Sequence, residues 1–419
     1  MLETTRLGGS LVEKYNGGIS LKIPAKHLFR NCFYALLLFL LISSSLGQSV
    51  SPVVRAQSGR EPQAPLAAPT MTVSSDSMRS LVDLSYLTAH WNGLQIALPS
   101  RWDWRDYGDV TPVKNQGYCG SCYAFSSVGS IESKVLLDGA GTFDFSENNA
   151  KECNWYAQNT SNAGSCEGGF AAWVADVFSQ KGTVLESCDS YSESHTGCKT
   201  TCPYQKTLLD WRLINGPSIL STDVLKSFIQ TYGPIETAMY ASFDDFSYYD
   251  GSSTLYYNAL SGVTDHEVSI VGWDDSLPYN TGSGTGHGAW IVKNSWGTGW
   301  GKNGYFTIAY GSADIGMDSN FDYAWQNYDP FGRLYYYDEA GWNRSFGGYS
   351  NSAWGLARFT PTTNTNATRV EFWMNEAGSI DIYIYDGFVY NNTTRGVLSN
   401  LLYEKLGINF NEAGYHSVA

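Results

Sequence analysis

The sequence predicts an α+β protein in which a helical segment is followed by a β-rich segment and then by a separate all-β segment. A helix-periodic apolar run begins after Cys122. From residue 234 the pattern changes to strand-like alternation, and after about residue 320 short aromatic and β-branched runs alternate with turn residues. These observations predict two lobes and a C-terminal β-sandwich or jelly-roll unit, in a length of 419 residues that allows two or three domains.

The N-terminal residues have the pattern of an export signal. Scattered basic residues precede an apolar run from Cys32 to Ile42, and small residues follow it. Because this run is shorter than the roughly 20 residues of a spanning helix, we predict a signal peptide over residues 1–47, with an uncleaved membrane anchor as the alternative. Residues 48–98 are proline-bearing and predict a leader or linker with one short helix over 77–92.

Charge and cysteine content narrow the class of protein. The formal net charge of −14 argues against a nucleic-acid partner, and no motif for a cofactor or a metal ion is apparent. Of eight cysteines, Cys32 would leave with the signal peptide, and seven would remain. An odd number in an exported protein suggests one reactive thiol, which leaves six cysteines for three disulfides.

Four residues in separate segments form the candidate catalytic set. Cys122 falls at the start of the predicted helix, where the helix dipole is expected to lower the pKa of its thiol. His266 precedes a strand-like run, and Asn294 lies in a β-rich run that ends in a Gly/Trp turn. Gln116 precedes Cys122 by six positions and could bring a side-chain amide beside it.

At these residues the chain resembles the papain family of cysteine peptidases. The matching stretches are residues 102–126, 265–273 and 289–308, with a weaker match at 166–169. The resemblance implies a papain-like two-lobe fold over residues 99–320, with a helical lobe, a β-barrel-like lobe and the active site in the groove between them.

The resemblance also implies a role for each matching residue. Cys122 would be the nucleophile, His266 its proton partner, and Asn294 the residue that orients the imidazole. Gln116 would form the oxyanion hole with the backbone N–H of Cys122. The substrate-binding residues would be Gly168, Gly169 and Trp296, the last of which also shields the His266–Asn294 hydrogen bond from water.

The family pattern suggests a disulfide between Cys119 and Cys166. It suggests a second between Cys153 and either Cys198 or Cys202, and Cys188 would then take the remaining partner. Tyr123 departs from the family, which usually has tryptophan there, and we expect this change to alter packing more than chemistry.

Several alternatives stay open at this point. Cys119 and Cys122 could form a dithiol redox pair or half of a zinc site, although neither has the sequence context that it would need. His287 is the rival base, interpreted here as a solvated loop residue. The Gly/Ser-rich loop over residues 274–288 is expected near the cleft, where it would shape substrate access.

Residues 321–419 predict a β-sandwich that resembles the lectin-like domain of some papain-like peptidases. Its aromatic side chains could bind a carbohydrate or a cell-surface ligand, but we favour the interpretation that they fill a small β core. This tail domain could also be incomplete.

The leading functional prediction is a secreted or cell-surface cysteine endopeptidase. It would hydrolyse protein or peptide substrates through a thiolate–imidazolium pair and a thioester. The alternatives are an adhesin or carbohydrate-binding protein on an inactive peptidase scaffold, and a transpeptidase that uses the same thioester.

Overall fold

The structure is a computed structural model that describes residues 97–161, 163–214, 219–258, 264–341, 352–389 and 396–419, together with the backbone of four short N-terminal strands. These strands are β1 (Thr5–Leu7), β2 (Ser10–Val12), β3 (Ile19–Pro24) and β4 (Phe39–Ser43). Apart from them, the predicted signal peptide over residues 1–47 lies outside the described residues. The predicted leader over 48–98 lies outside them as well, except for its last two residues.

The chain divides into two compact units. One comprises Val73–Tyr328 with Glu339–Gly341, and the other comprises Met1–Thr72, Asp329–Asp338 and Trp342–Ala419.

The first unit begins with a short strand and a helical lobe. Strand β5 (Arg101–Asp103) leads into a 3-10 turn over Trp104–Asp106. The helices that follow are α1 (Cys122–Leu137), α2 (Glu147–Cys153), α3 (Trp155–Asn159) and α4 (Ala171–Gln180). Helix α1 confirms the helix that the sequence predicts after Cys122. Helix α1 is central, and it is buried on nearly every side along its first twelve residues.

A six-stranded antiparallel sheet forms the second lobe of this unit. In chain order the strands of the sheet and the two helices between them are β6 (Lys206–Leu213), α5 (Thr222–Tyr232), β7 (Ile235–Met239), α6 (Asp244–Ser247), β8 (His266–Asn280), β9 (Thr285–Lys293), β10 (Tyr305–Ala309) and β11 (Met317–Asn327). The strand order is β10-β9-β8-β7-β11-β6, and β5 pairs with β8. Large aromatic side chains with almost no exposure fill the interior, among them Trp211, Trp273, Trp290, Phe306 and Phe321.

Strands β8 and β9 form a long hairpin where the sequence predicts a loop near the cleft. Residues 274–280 and 285–288 belong to the two strands, and only 281–284 form the turn. At about 3.3 Å per residue, the fifteen residues from His266 to Asn280 carry this turn to the far end of β8. The expectation that this segment lies beside the cleft is therefore wrong.

Three disulfides brace the helical lobe. They join Cys119 to Cys166, Cys153 to Cys198, and Cys188 to Cys202. Cys119 is thus bonded outside its C-x-x-C pair, which rules out a dithiol or a zinc half-site made with Cys122. Among the described residues, no cluster of His, Cys, Asp or Glu could hold a metal ion.

The second unit is built from antiparallel strands. Its C-terminal strands are β12 (Arg333–Tyr335), β13 (Ser352–Ala357), β14 (Asn366–Met374), β15 (Gly378–Val389), β16 (Val397–Phe410) and β17 (Gly414–Val418). One sheet has the order β17-β14-β4-β12 and the other β13-β3-β15-β16. A small apolar core contains Phe372, Met374, Ile380, Ile382 and Val418. In the described part of the chain, no helix has both the length and the apolar character needed to cross a membrane.

Candidate active site

Cys122 is the first residue of α1 and the one cysteine without a disulfide among the described residues. The loop before it is held against the segment that contains Cys166. The Gly120 N–H donates to the Cys166 carbonyl at 3.0 Å, and a Cβ added at Gly120 would lie 2.6 Å from that oxygen. Only glycine permits this approach, which, with the Cys119–Cys166 disulfide, fixes where the helix begins.

His266 is the first residue of β8 and is 94% buried. Its Nε2 lies 2.8 Å from Asn294 Oδ1, and the same Oδ1 accepts the backbone N–H of Ser295 at 2.8 Å. Since Oδ1 is therefore an acceptor, His266 Nε2 must carry the hydrogen of this bond. In the neutral imidazole Nδ1 is then unprotonated and available to take a proton from a neighbouring group.

Aromatic rings cover the imidazole. The Trp296 ring lies 5.0 Å from it and the Phe246 ring 6.0 Å, and these two rings contact each other at 5.1 Å. Trp296 was expected both to shield the His266–Asn294 bond and to contact substrate, and the structure brings it onto His266. Phe246, from the short helix α6, was not predicted, because nothing in the local sequence links it to a histidine twenty residues later.

The Cys122 sulfur lies against the start of β8. The backbone of Glu267, the residue after His266, hydrogen-bonds to this sulfur, as do the backbone N–H groups at the start of α1. Helix α1 packs along β8. The thiol and the imidazole therefore come from different lobes and meet at the boundary between them.

The protonation of this pair differs from the sequence expectation. Burial, followed by the nearby Glu267 carboxyl, raises the pKa of the Cys122 thiol to about 12. Burial lowers the pKa of His266, against the opposing effects of the Asn294 hydrogen bond and Asp265. Burial therefore opposes the lowering of the thiol pKa that the helix N-terminus favours, because desolvation penalises a lone thiolate. An ion pair of thiolate and imidazolium must draw its stability from the attraction between the two charges.

Gln116 bridges the two lobes beside Cys122. Its Oε1 accepts the Ser295 hydroxyl at 2.5 Å, and its Nε2 donates to the Cys119 carbonyl at 2.9 Å. A side-chain amide carries two N–H donors, so one stays available. The backbone N–H of Cys122, as the first of its helix, also has no intrahelical partner. Gln116 therefore keeps a second N–H donor, and the Cys122 N–H has no helix partner.

Tyr191 is a further residue that the sequence did not indicate. Its hydroxyl donates to the Gln116 carbonyl at 2.7 Å and lies 2.7 Å from the Ser121 hydroxyl. It thereby holds the loop that carries Gln116 against the start of α1.

Gly168 and Gly169 lie against the same end of α1. Gly168 has a φ of +92°, and a Cβ at Gly169 would come within 2.6 Å of the Tyr123 ring. The residue before them, Glu167, forms a parallel bridge with Gly120. His287, the rival base, lies on the exposed part of β9 in the long hairpin.

Comparison with known proteins gives a consistent result. The family described as papain family cysteine protease matches residues 98–325, which is over half of the chain. Procathepsin L of Mus musculus is 36% identical over 222 residues, covering 52% of this chain and 62% of that protein. The chain thus spans less than two thirds of the length of that relative.

Cysteine proteinase 2 of Entamoeba histolytica is 30% identical over 249 residues, covering 57% of this chain and 74% of that protein. A solved structure of the bromelain protease from Ananas comosus in complex with the E64 inhibitor is 27% identical, with a TM-score of 0.45, and covers 54% of this chain and 98% of that one. The family match extends over the whole described site, from Gln116 to Asn294. The chain belongs to the papain family of cysteine proteases.

Proposed function

We propose that the chain is a secreted cysteine endopeptidase that hydrolyses peptide bonds through Cys122 and His266. The observation that carries this proposal is the unpaired Cys122 thiol at the start of α1, against a strand that begins with a histidine whose tautomer Asn294 sets. Membership of the papain family supports the same class of reaction.

The first half of the reaction forms a thioester. The thiol proton passes to His266 Nδ1, and the Cys122 sulfur attacks the carbonyl carbon of the scissile bond. The second N–H of Gln116 and the backbone N–H of Cys122 would receive the oxyanion. When the intermediate collapses, the C–N bond breaks and the imidazolium protonates the leaving amine.

The second half releases the acid. His266 takes a proton from water as the water oxygen attacks the thioester carbon, and the C–S bond then breaks. The proton returns to the sulfur, and the carboxylic product leaves. A transpeptidase would differ only in that an amine replaces water in this step.

Export is supported by the three disulfides, which persist in oxidising compartments. It is also supported by the signal-like N-terminal sequence. We propose proteins or peptides as the substrates.

The adhesin is a second candidate, on one observation in the second unit. The rings of Trp354 and Tyr383 stack at 6.0 Å with an interplanar angle of 29°, and both residues are half-buried. Such a pair could bind a sugar ring, although Tyr335 and Phe372 of the same unit lie in its core.

The test is covalent labelling combined with turnover. An epoxide of the E64 type should label Cys122 in the folded protein, and Cys122→Ala should lose both the label and peptide cleavage. His266→Ala should lower turnover at least about 1000-fold, whereas the control His287→Ala should keep it. Unchanged turnover in Cys122→Ala would refute the proposal, and binding of glycans by a protein that resists labelling would favour the adhesin.

A further inference from the structure

The Tyr191 hydroxyl joins the two segments that provide the proposed oxyanion donors. It donates to the Gln116 carbonyl at 2.7 Å, and it lies 2.7 Å from the hydroxyl of Ser121, the residue before Cys122. A phenol has one hydrogen to donate, so in the second bond Tyr191 accepts from Ser121. Tyr191 thus bonds once to the loop that carries the Gln116 amide and once to the residue at which α1 begins.

Both partners of this hydroxyl have weak alternatives. The Gln116 carbonyl also accepts the Cys119 N–H, but at the longer distance of 3.4 Å. Ser121 holds the capping position before α1, where a serine hydroxyl usually accepts an N–H of the first turn. Among the described residues, the Ser121 side chain makes no such capping bond. The position of each partner therefore depends on the Tyr191 phenol.

A buried ion pair anchors the segment that carries Tyr191. The Lys151 and Glu152 side chains form this pair at the end of α2, and neither has exposed surface. Lys151 donates to the Ser194 carbonyl at 3.0 Å, and Glu152 accepts the Gly197 N–H at 3.1 Å. Charged groups make stronger hydrogen bonds than neutral ones, so this pair fixes the backbone that follows Tyr191.

We propose that Tyr191 is a positioning residue of the oxyanion hole, whose hydroxyl fixes the Gln116 amide relative to the Cys122 N–H. The inference rests on the proposed peptidase function. Negative charge develops at these donors only in the transition state, so a shift between them lowers kcat and leaves KM nearly unchanged. The Gln116 side chain has its own bonds to Ser295 and Cys119, so without the phenol the loop should move rather than unfold.

The experiment compares the full chain with Tyr191→Phe, which removes the hydroxyl and keeps the ring that packs 4.8 Å from Phe125. On a fluorogenic peptide, kcat should fall about 10- to 30-fold and KM should stay within about twofold, the effect of one lost buried hydrogen bond on the transition state. Alkylation of Cys122 by iodoacetamide forms no oxyanion, so its rate should stay within about twofold of the wild type.

The matched control is Tyr310→Phe. The Tyr310 hydroxyl donates to Asp275 at 2.6 Å, nine residues along β8 from His266. This variant also loses the hydrogen bond of a partly buried phenol, but it should keep the kcat of the wild type.

An unchanged kcat in Tyr191→Phe, or a loss no larger than in Tyr310→Phe, would overturn the inference. Equal losses of kcat and of the alkylation rate would overturn it as well, since Tyr191 would then support the whole site rather than the oxyanion donors. If Tyr191→Phe does not fold, Ser121→Ala removes the other partner of the phenol. In Ser121→Ala kcat should fall at least about threefold with alkylation kept, and an unchanged kcat would overturn the inference. A wild type that cleaves nothing and resists labelling would instead refute the proposed function.

Discussion

Two groups of buried charged side chains pack against α1, and they are neutralised in different ways. The first, the lysine cluster, consists of Lys114, Glu132, Glu147 and Lys293. The Lys114 ammonium lies 3.0 Å from Glu132 and 2.8 Å from Glu147. Burial alone would lower the pKa of Lys114, but these two carboxylates outweigh it and raise that pKa. In this cluster a cation of the chain itself compensates the buried acids.

The second group, the acid cluster, consists of Glu236, Asp322 and Glu267 and contains no cation. Glu236 accepts hydrogen bonds from the Ser127 hydroxyl at 2.9 Å and from the Asn320 amide at 3.1 Å. No ion pair joins its members to a basic residue in the described part of the chain. Burial, and then Asp322, raises the pKa of Glu236 well above its usual range. In this cluster burial therefore favours the protonated form of the acids, where the lysine cluster supplies a cation.

The two clusters around α1 should therefore respond differently to mutation and to pH. Removing Lys114 leaves Glu132 without the cation that pairs with it, while burial raises the pKa of Glu147 to about 8. The acid cluster loses its protons as the pH rises, so its cost depends on pH. The stability of the fold thus depends on a basic residue in the lysine cluster and on the pH in the acid cluster.

The largest effect is expected from Lys114→Met. The substitution keeps much of the side-chain volume but leaves Glu132 and Glu147 without their cation, which should cost about 3–5 kcal/mol of the free energy of unfolding. Urea unfolding at neutral pH, followed by tryptophan fluorescence, measures this loss.

The control for this prediction is Lys302→Met, at an exposed lysine of the same unit. Its free energy of unfolding should stay within about 0.5 kcal/mol of the wild type. Equal losses in the two variants would mean that Lys114 does not compensate the buried acids.

A smaller, pH-dependent effect is expected from Asp322→Asn. Burial raises the pKa of Asp322 to about 7, against the opposing effects of Ser130 and Lys134. In the unfolded chain the pKa of an aspartate is about 3.9. Between these values the folded chain holds one more proton, so stability falls as the pH rises, by up to about 1.4 kcal/mol per pH unit. The substitution should remove this part of the slope.

Urea unfolding from about pH 4.5 to about pH 7.5 gives the slope. Asp223→Asn, at an exposed aspartate in the first turn of α5, should leave it as in the wild type. A slope that persists unchanged in Asp322→Asn would show that Asp322 is already ionised in the folded chain at low pH.

The sequence predicted the centre of the site but not its surroundings. Cys122, His266, Asn294 and Gln116 each sit in a local pattern of helix start, strand or turn, and such patterns can be recognised without a fold. Tyr191 and Phe246 contact the site from segments whose own sequence carries no such pattern, so only the fold connects them to it.

The same limit explains one wrong expectation and one effect that the sequence did not indicate. A thiol pKa depends on how far water is excluded, and the surroundings of Cys122 come from another lobe. The segment over residues 274–288 is rich in turn residues, yet pairing across β8 and β9 overrides that local preference. In both cases a long-range contact decided the outcome.

Replacing one glutamate by glutamine in each cluster compares the two clusters directly. The smallest effect is expected in the acid cluster. Glu236→Gln replaces a carboxyl group whose pKa is raised well above its usual range with an amide of the same shape, so at neutral pH it should change the free energy of unfolding by less than about 1 kcal/mol. Glu132→Gln removes the charge that pairs with Lys114 and should cost more, about 2–3 kcal/mol. Both are measured by urea unfolding at one pH. Equal losses would mean that Glu236 is ionised in the folded chain. The acid cluster would then carry a buried charge that no basic residue of the described chain compensates.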